Sequence, residues 1–443
     1  MIEKIAHKKK ILIVFHILIG FLATLPWFPK IYGLLILIIP SVLIIYNKNK
    51  NEEALIFSSY IVGAEVFVRM IGGFTFYESG KYAVILFLVL GFLLGSFKQK
   101  FSFSFLTYIL LLLLGIVFTQ VPEGESIRKS IIFNLSGPLV LGAAALYFYY
   151  RKITKKELTT ALFFMLLPLI SMVVYLYFRT PNINEIVFGG AANFDTSGGF
   201  GPNQVATAIG LGIFIIAILI LLKERISGLL IIDAFLLIYF VYRGLLTFSR
   251  GGIITGIVAL VIFFLFYILY QKQSLQMFLK YIVIGALFTI GTWLYTSNIT
   301  GGMLDNRYTG KNARGVQKED ISSGRVAIFQ KQLENFIKTP LGIGVGNGKY
   351  KRQLSDNHIT AASHNEVGRL IEEHGFIGFI ILLGLLIIPL INIWQEGNYQ
   401  RAFCLAFYLL WFLTINHSAM RIAFPGFIYA LSLIKITENE PAK

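Results

Sequence analysis

Apolar residues in this chain come in long runs, separated by short polar connections. Fourteen runs can be marked: 11–25, 31–46, 54–71, 82–97, 101–118, 130–150, 158–178, 203–222, 227–242, 246–270, 279–296, 367–393, 400–415 and 419–436. A helix needs about 20 mostly apolar residues to cross the ~30 Å hydrocarbon core of a bilayer. The pattern therefore predicts an all-α, polytopic integral membrane helical bundle of about 12–14 transmembrane helices. The first two runs are short. Tyr242-Arg243-Gly244 interrupts the pair 227–242 and 246–270.

One polar interval breaks the rhythm, between the runs that end at 296 and begin at 367. Loops this long are functional or unstructured. Val326, Phe329, Leu333, Phe336 and Ile337 recur at helical spacing, so a folded, helical loop is expected. The chain then divides into a membrane bundle over 1–296, a large loop over 297–366 and C-terminal membrane helices over 367–443, all in one structural domain.

Composition agrees with the pattern. Hydrophobic residues make up 56% and charged ones 14%, against about 25% charge in soluble domains. Mean hydropathy is +0.72. The formal charge of +16 invites a nucleic-acid partner, but the basic residues form no tract with interleaved aromatics. They sit between the apolar runs, as the positive-inside rule expects. One set of alternate connections holds nineteen Lys and Arg, the other set eight, with the long loop left out. Both termini are thus expected in the cytoplasm, with loop 297–366 outside. The connections 72–81, 119–129, 179–202 and 243–250 share that outer side. Cys404, the single cysteine, lies in an apolar run and reads as inert packing. No cleavable leader is evident, and the run 11–25 is expected to stay as the first helix.

The outer side holds the candidate chemistry. Thr247-Phe248-Ser249-Arg250-Gly251-Gly252 puts an arginine at a membrane boundary beside two glycines. Such a charge marks function or merely snorkels. Ser323-Gly324-Arg325 opens the loop helix. Its guanidinium could clamp a phosphate or face water. Ser363-His364-Asn365-Glu366 precedes an apolar run. The histidine suits general-base work, and the segment also reads as a helix cap. Gly342, Gly344, Gly346 and Gly348 lack the strand and GK[ST] ending of a nucleotide loop and read as a turn after Pro340. His358, His364 and His374 have no metal-site spacing, and His417 is unaccompanied, so no metal is expected. Glu65 and Arg69 stand four apart and can pair; Arg69 and Arg128 lie near the outer side. Asp233 reads as structural. Loop 179–202 is rich in Gly and Asn and is expected to be flexible, with Gly201-Pro202-Asn203 opening the next helix.

The ordered set Ser249-Arg250-Gly251, Gly324-Arg325, Pro340-Leu341-Gly342-Ile343-Gly344, His364-Asn365 and Glu373-His374-Gly375-Phe376-Ile377-Gly378 resembles the O-antigen ligase and O-antigen polymerase superfamily. The resemblance covers residues 200–390. It implies a GT-C-like fold and a metal-independent, inverting glycosyltransferase without a cofactor, in the bacterial inner (plasma) membrane. Such an enzyme transfers a glycan from undecaprenyl diphosphate to an acceptor hydroxyl at the outer face, in lipopolysaccharide or other surface polysaccharide assembly. Arg250 and Arg325 would hold the diphosphate and His364 would serve the acceptor. Arg69, Arg128, Asn365, Glu366 and His374 are further candidates for substrate binding. The partners implied are the undecaprenyl-diphosphate-linked glycan, an acceptor that is a glycan, a lipid core or a protein, and membrane lipid.

Polymerase and protein O-oligosaccharyltransferase activities of the same superfamily remain open. A lipid or solute transporter (a flippase, for instance) should place charges at the midplane in repeated halves. Here they gather at one side, and no repeat is visible. A scaffold would leave the Arg250, Arg325 and His364 pattern unexplained. The charge asymmetry makes a direct prediction. In a Cys404→Ser background, Lys311→Cys should react with an impermeant thiol reagent added to intact cells. Labelling of Lys155→Cys alone would reverse the orientation.

Overall fold

The computed structural model describes residues 8–96, 99–272, 275–322, 324–355 and 363–437. Each of the fourteen apolar runs contains a helix. These are α1 (Lys9–Leu22), α2 (Phe28–Asn47), α3 (Glu53–Met70), α4 (Ser79–Leu94), α5 (Phe103–Leu114), α6 (Ile127–Phe148) and α7 (Lys155–Arg179). Then follow α8 (Pro202–Leu221), α9 (Leu230–Leu246), α10 (Arg250–Gln271) and α11 (Leu275–Ile299). The polar interval holds three more, α12 (Met303–Tyr308), α13 (Arg325–Lys338) and α14 (Gly348–Ser355), before α15 (Glu366–Trp394), α16 (Asn398–His417) and α17 (Ala423–Leu431).

The number of helices able to cross is smaller than the number of runs. Among the described residues, seven are long and apolar enough, and α4 and α5 are shorter apolar helices. The run 419–436 shrinks most. Its helix has nine residues, about 14 Å at 1.5 Å per residue. Beyond it the chain forms a strand, Lys435–Thr437, parallel to Lys152–Thr154 just before α7.

Connections meet in two groups. Lys9 pairs with Glu224, and Arg151 with Glu52. These contacts and the two strands join the termini and alternate connections at one end of the bundle. At the other end, Arg69 of α3 reaches Arg421 and Arg421 reaches Ser363.

Helices that carry site residues are drawn together by small side chains. An added Cβ at Gly210 of α8 would lie 2.1 Å from the Gly252 carbonyl oxygen, and one at Gly256 would lie 2.4 Å from that of Gly210. Gly252 and Gly256 are one helical turn apart. Only hydrogen at these positions lets the two backbones touch, as in membrane helix pairs built on small residues.

The glycine run after Pro340 is a strap across a broken helix. Within α15, Gly375 takes φ 62 and ψ −138, which interrupts the helical ladder. The strap takes up carbonyl groups there. Ile343 N–H donates to the Glu372 carbonyl (3.1 Å) and Gly344 N–H to that of Glu373 (3.0 Å). Phe376 N–H donates back to Pro340 (2.8 Å), and Val345 N–H to Gly115 (3.2 Å). The turn expected from sequence is thus a buried structural element. Gly344 sits at φ +86, and a Cβ there would lie 2.2 Å from the Phe118 carbonyl oxygen. A non-glycine residue in such a region costs about 1–3 kcal/mol before any overlap. Gly344→Ala should therefore lower the thermal midpoint and folded yield of the purified protein. Gly384→Ala, where a Cβ would meet nothing within 4 Å, should leave both unchanged.

Candidate active site

Arg250 is the first residue of α10, and the turn before it is held open. Phe248 has φ 56, a left-handed backbone that a bulky residue rarely adopts. Ser249 Oγ donates to Asn203 Oδ1 at the start of α8 (2.8 Å). A Cβ at Gly251 would stand 2.6 Å from the His417 ring, so the glycine seats that imidazole against α10. The Arg-Gly-Gly motif is therefore one charge followed by two contact points for neighbouring helices. Arg250 itself is half-buried, and its Nη2 donates to the Ile321 carbonyl (3.4 Å).

A third arginine stitches the turn to the loop. Arg307 of α12 donates to the Phe248 carbonyl and to the Gly190 carbonyl, each at 2.9 Å. Lys318 also donates to Gly190. Asn193 N–H reaches the Thr247 carbonyl (2.9 Å). The segment 179–202, expected to be flexible, is thus tied down where it passes the site. Arg325 opens α13 after Gly324, whose φ is +81.

These cations sense one another. Burial lowers the pKa of Arg307, and the charges of Arg250 and Arg325 lower it further. Burial and then Arg250 do the same to Arg325. Among the described residues none of the three makes an ion pair. His364 faces this field. Its pKa is pushed down from 6.5 to about 4, first by burial, then by Arg421, Arg325 and His417. The imidazole is therefore neutral at pH 7 and free to accept a proton. His417 Nδ1 lies 2.8 Å from the Leu413 carbonyl and Nε2 lies 3.3 Å from Thr207 Oγ1. The first contact requires Nδ1–H; the single Thr207 hydroxyl proton is shared between the Asn203 carbonyl (2.7 Å) and Nε2.

The segment holding His364 is fixed from both sides. Arg421 Nη2 donates to the Ser363 carbonyl (2.6 Å). Asn365 caps α15, its Oδ1 accepting from Gly368 N–H (3.2 Å). Glu366 pairs with Arg369 and accepts from Met420 N–H (3.2 Å). Behind Arg421 stands Arg69, which donates to the Arg421 and Tyr77 carbonyls (3.0 and 2.9 Å) and pairs with Glu65 (2.5 Å). Glu65 also accepts from Ala423 N–H (2.6 Å). Glu372 anchors α13. Gln332, Asn335 and Arg352 all donate to its carboxylate, at 2.8–3.1 Å.

Several expected contacts with substrate change meaning here. Arg69 and Glu366 are buried and spent on protein groups, so they position the backbone around Arg421 and His364. Asn365 is a cap. His374 is buried with its ring against Gly115, away from the arginines. Arg128 is exposed, on a separate cavity. Ser323 and His358 lie outside the described residues. Among the described residues no three His, Cys, Asp or Glu side chains converge as a metal site. Sequence reasoning missed Arg307, Lys318 and the role of Arg421. One signal was present: His417 and Arg421 are ionisable groups in a short break between two apolar runs.

Residues 234–383 match the family model described as O-antigen ligase. They include Arg250, Arg307, Arg325 and His364. The match covers 150 of the 443 residues. No curated protein matches the chain.

The electrostatics can be tested without substrate. Carbethoxylation of His364 by diethyl pyrocarbonate, followed by peptide mapping, should keep its rate as pH falls from 7 and decline only near 4. Arg421→Ala should move that decline upward, toward the ordinary imidazole value. A decline near 6.5 in the unaltered protein would show that neither burial nor the surrounding cations lower the basicity of His364.

Proposed function

We propose that this chain belongs to the O-antigen ligase and polymerase superfamily and is a metal-independent, inverting glycosyltransferase. It moves a glycan from undecaprenyl diphosphate to an acceptor hydroxyl at the outer face of the bacterial inner membrane. One observation carries the reading: Arg250, Arg307 and Arg325, without ion pairs among the described residues, act on one another, and Arg325 together with Arg421 acts on a neutral His364. Unpaired arginines in a partly buried site suit a multiply charged anion. Each can give charge-assisted, bidentate hydrogen bonds to phosphate oxygens.

The reaction then needs little else. The acceptor oxygen attacks the anomeric carbon on the face opposite the diphosphate, and the carbon–oxygen bond to phosphorus-bound oxygen breaks. The electron pair leaves with the diphosphate, where preorganised arginines stabilise the growing charge. The proton of the acceptor goes to His364. Burial is the largest cause of the low imidazole pKa of about 4, and the charges of Arg421 and Arg325 add to it. Binding of the diphosphate at Arg325 offsets that arginine's share, so the proton acceptor strengthens once donor is in place. The lipid tail lies between the helices below.

The test is transfer from purified undecaprenyl-diphosphate glycan, with donor binding measured separately. Arg250→Ala and Arg325→Ala should each weaken donor binding and abolish most transfer, with Lys rescuing only in part, since a point charge lacks the guanidinium fork. His364→Ala should keep donor binding and lose turnover by ~10²–10⁴-fold, the usual contribution of a general base. His364→Gln should be equally slow, and chelators should have no effect. Full activity in both arginine variants would remove the diphosphate clamp. Substantial turnover in His364→Gln would reduce His364 to a hydrogen-bonding role.

A further inference from the structure

A cavity of about 1220 Å³ opens on the far side of the Ser363–Asn365 segment from Arg250. It is larger than the ~300–1,000 Å³ of ordinary small-molecule sites. Its floor is charged but neutralised. Glu78 pairs with Lys81, Glu372 with Arg352, and Glu373 with Arg369. Tyr82, Phe133 and Tyr350 line the walls. Tyr350 Oη donates to Glu125 and lies within hydrogen-bond distance of Ser130 Oγ, both at 3.2 Å. At the mouth stand Arg128, Lys129 and Lys349, all exposed.

We infer that this cavity binds the acceptor, and that the acceptor is an anionic glycan bearing carboxylate or phosphate groups. The inference rests on the transferase reading above. The cavity reaches Ser363, the residue before His364, and the guanidinium of Arg421 lies over the Phe133 ring at 4.8 Å. A ligand in it can thus present a hydroxyl to His364 while the diphosphate occupies the arginines on the other side. Sugars have apolar C–H faces and polar edges. Amphipathic aromatic rings beside hydrogen-bonding groups match both. Among the described residues the mouth carries three cations against one further carboxylate of the lining, Glu125, so an incoming ligand meets a net positive charge. The volume suits several linked sugar rings.

The experiment uses the purified full chain and two soluble probes of equal length, neutral chitotetraose and the hyaluronan tetrasaccharide with its two carboxylates. Binding is read by calorimetry without donor. The hyaluronan probe should bind the unaltered protein more tightly. Arg128→Ala with Lys349→Ala should weaken it roughly tenfold, about 1.4 kcal/mol, and leave chitotetraose unchanged. Tyr82→Ala should weaken both. In transfer assays the paired variant should raise the acceptor KM and keep donor affinity. Equal binding of both probes, no effect of the three variants, or competition by phosphatidylglycerol micelles but not by free sugar would overturn the inference. If the arginine variants at 250 and 325 transfer normally while these mouth variants lose glycan binding, the transferase mechanism fails and the glycan site stands.

Discussion

Arg250, Arg307 and Arg325 must stay close together without a counter-ion among the described residues, and much of the surrounding structure serves that constraint. Like charges in a partly buried place repel, and the cost grows as the effective dielectric falls. The arginines are therefore held in place by forces elsewhere. Arg307 donates to two carbonyls on different segments, Phe248 and Gly190. Arg325 is fixed through α13, whose Gln332 and Asn335 donate to Glu372. Arg250 is fixed through the glycine contacts of α10 with α8 and α16. Each arginine is held by backbone or by neighbouring residues, which leaves much of its guanidinium free for an anion.

The histidine side of the site is held in the opposite way, by saturated charge pairs. Glu65 and Arg69 grip the backbone at 421 and 423. Glu366 and Arg369 do the same beside Met420. Removing one partner of such a pair would leave an uncompensated buried charge, which costs far more than the pair is worth. These pairs therefore act as rigid struts. Arg421 joins the strut to the site, since its own carbonyl is held by Arg69 and its guanidinium reaches Ser363. A neutral imidazole beside fixed cations is the result.

Broken helices give the remaining freedom of design. The interruption of α15 at Gly375 frees carbonyl groups, and the glycine strap accepts the task of pairing them. Backbone that leaves a helix within a membrane protein is tolerated only where other protein groups satisfy it. The break also lets Glu372 sit at the junction of α13, α14 and α15. The same residues that close the helix break thus set the height of Arg325 above the bundle.

The apolar pattern alone determined the helical membrane class and a helix in each run, because burying backbone polar groups in lipid leaves few options. The sequence also singled out Arg250 as a charge at a membrane boundary, with Arg325 and His364 as candidates for a phosphate clamp and a base, and it read Glu65–Arg69 as a possible pair and Asp233 as structural. Asp233 indeed accepts from Ile226 and Ser227 N–H. Tertiary structure decided the rest. A pattern gives length of apolar sequence, and α17 shows that such a run can end after nine residues and turn into a strand. Spacing could not separate an arginine that faces a site from one that faces a carboxylate, which is why Arg69 and Arg307 exchanged roles. Residues 117, 57 and 39 positions apart meet at Arg307–Gly190, Arg421–His364 and Arg325–His364. Contacts across such distances follow from helix packing, which fixes where each charge ends up relative to the others.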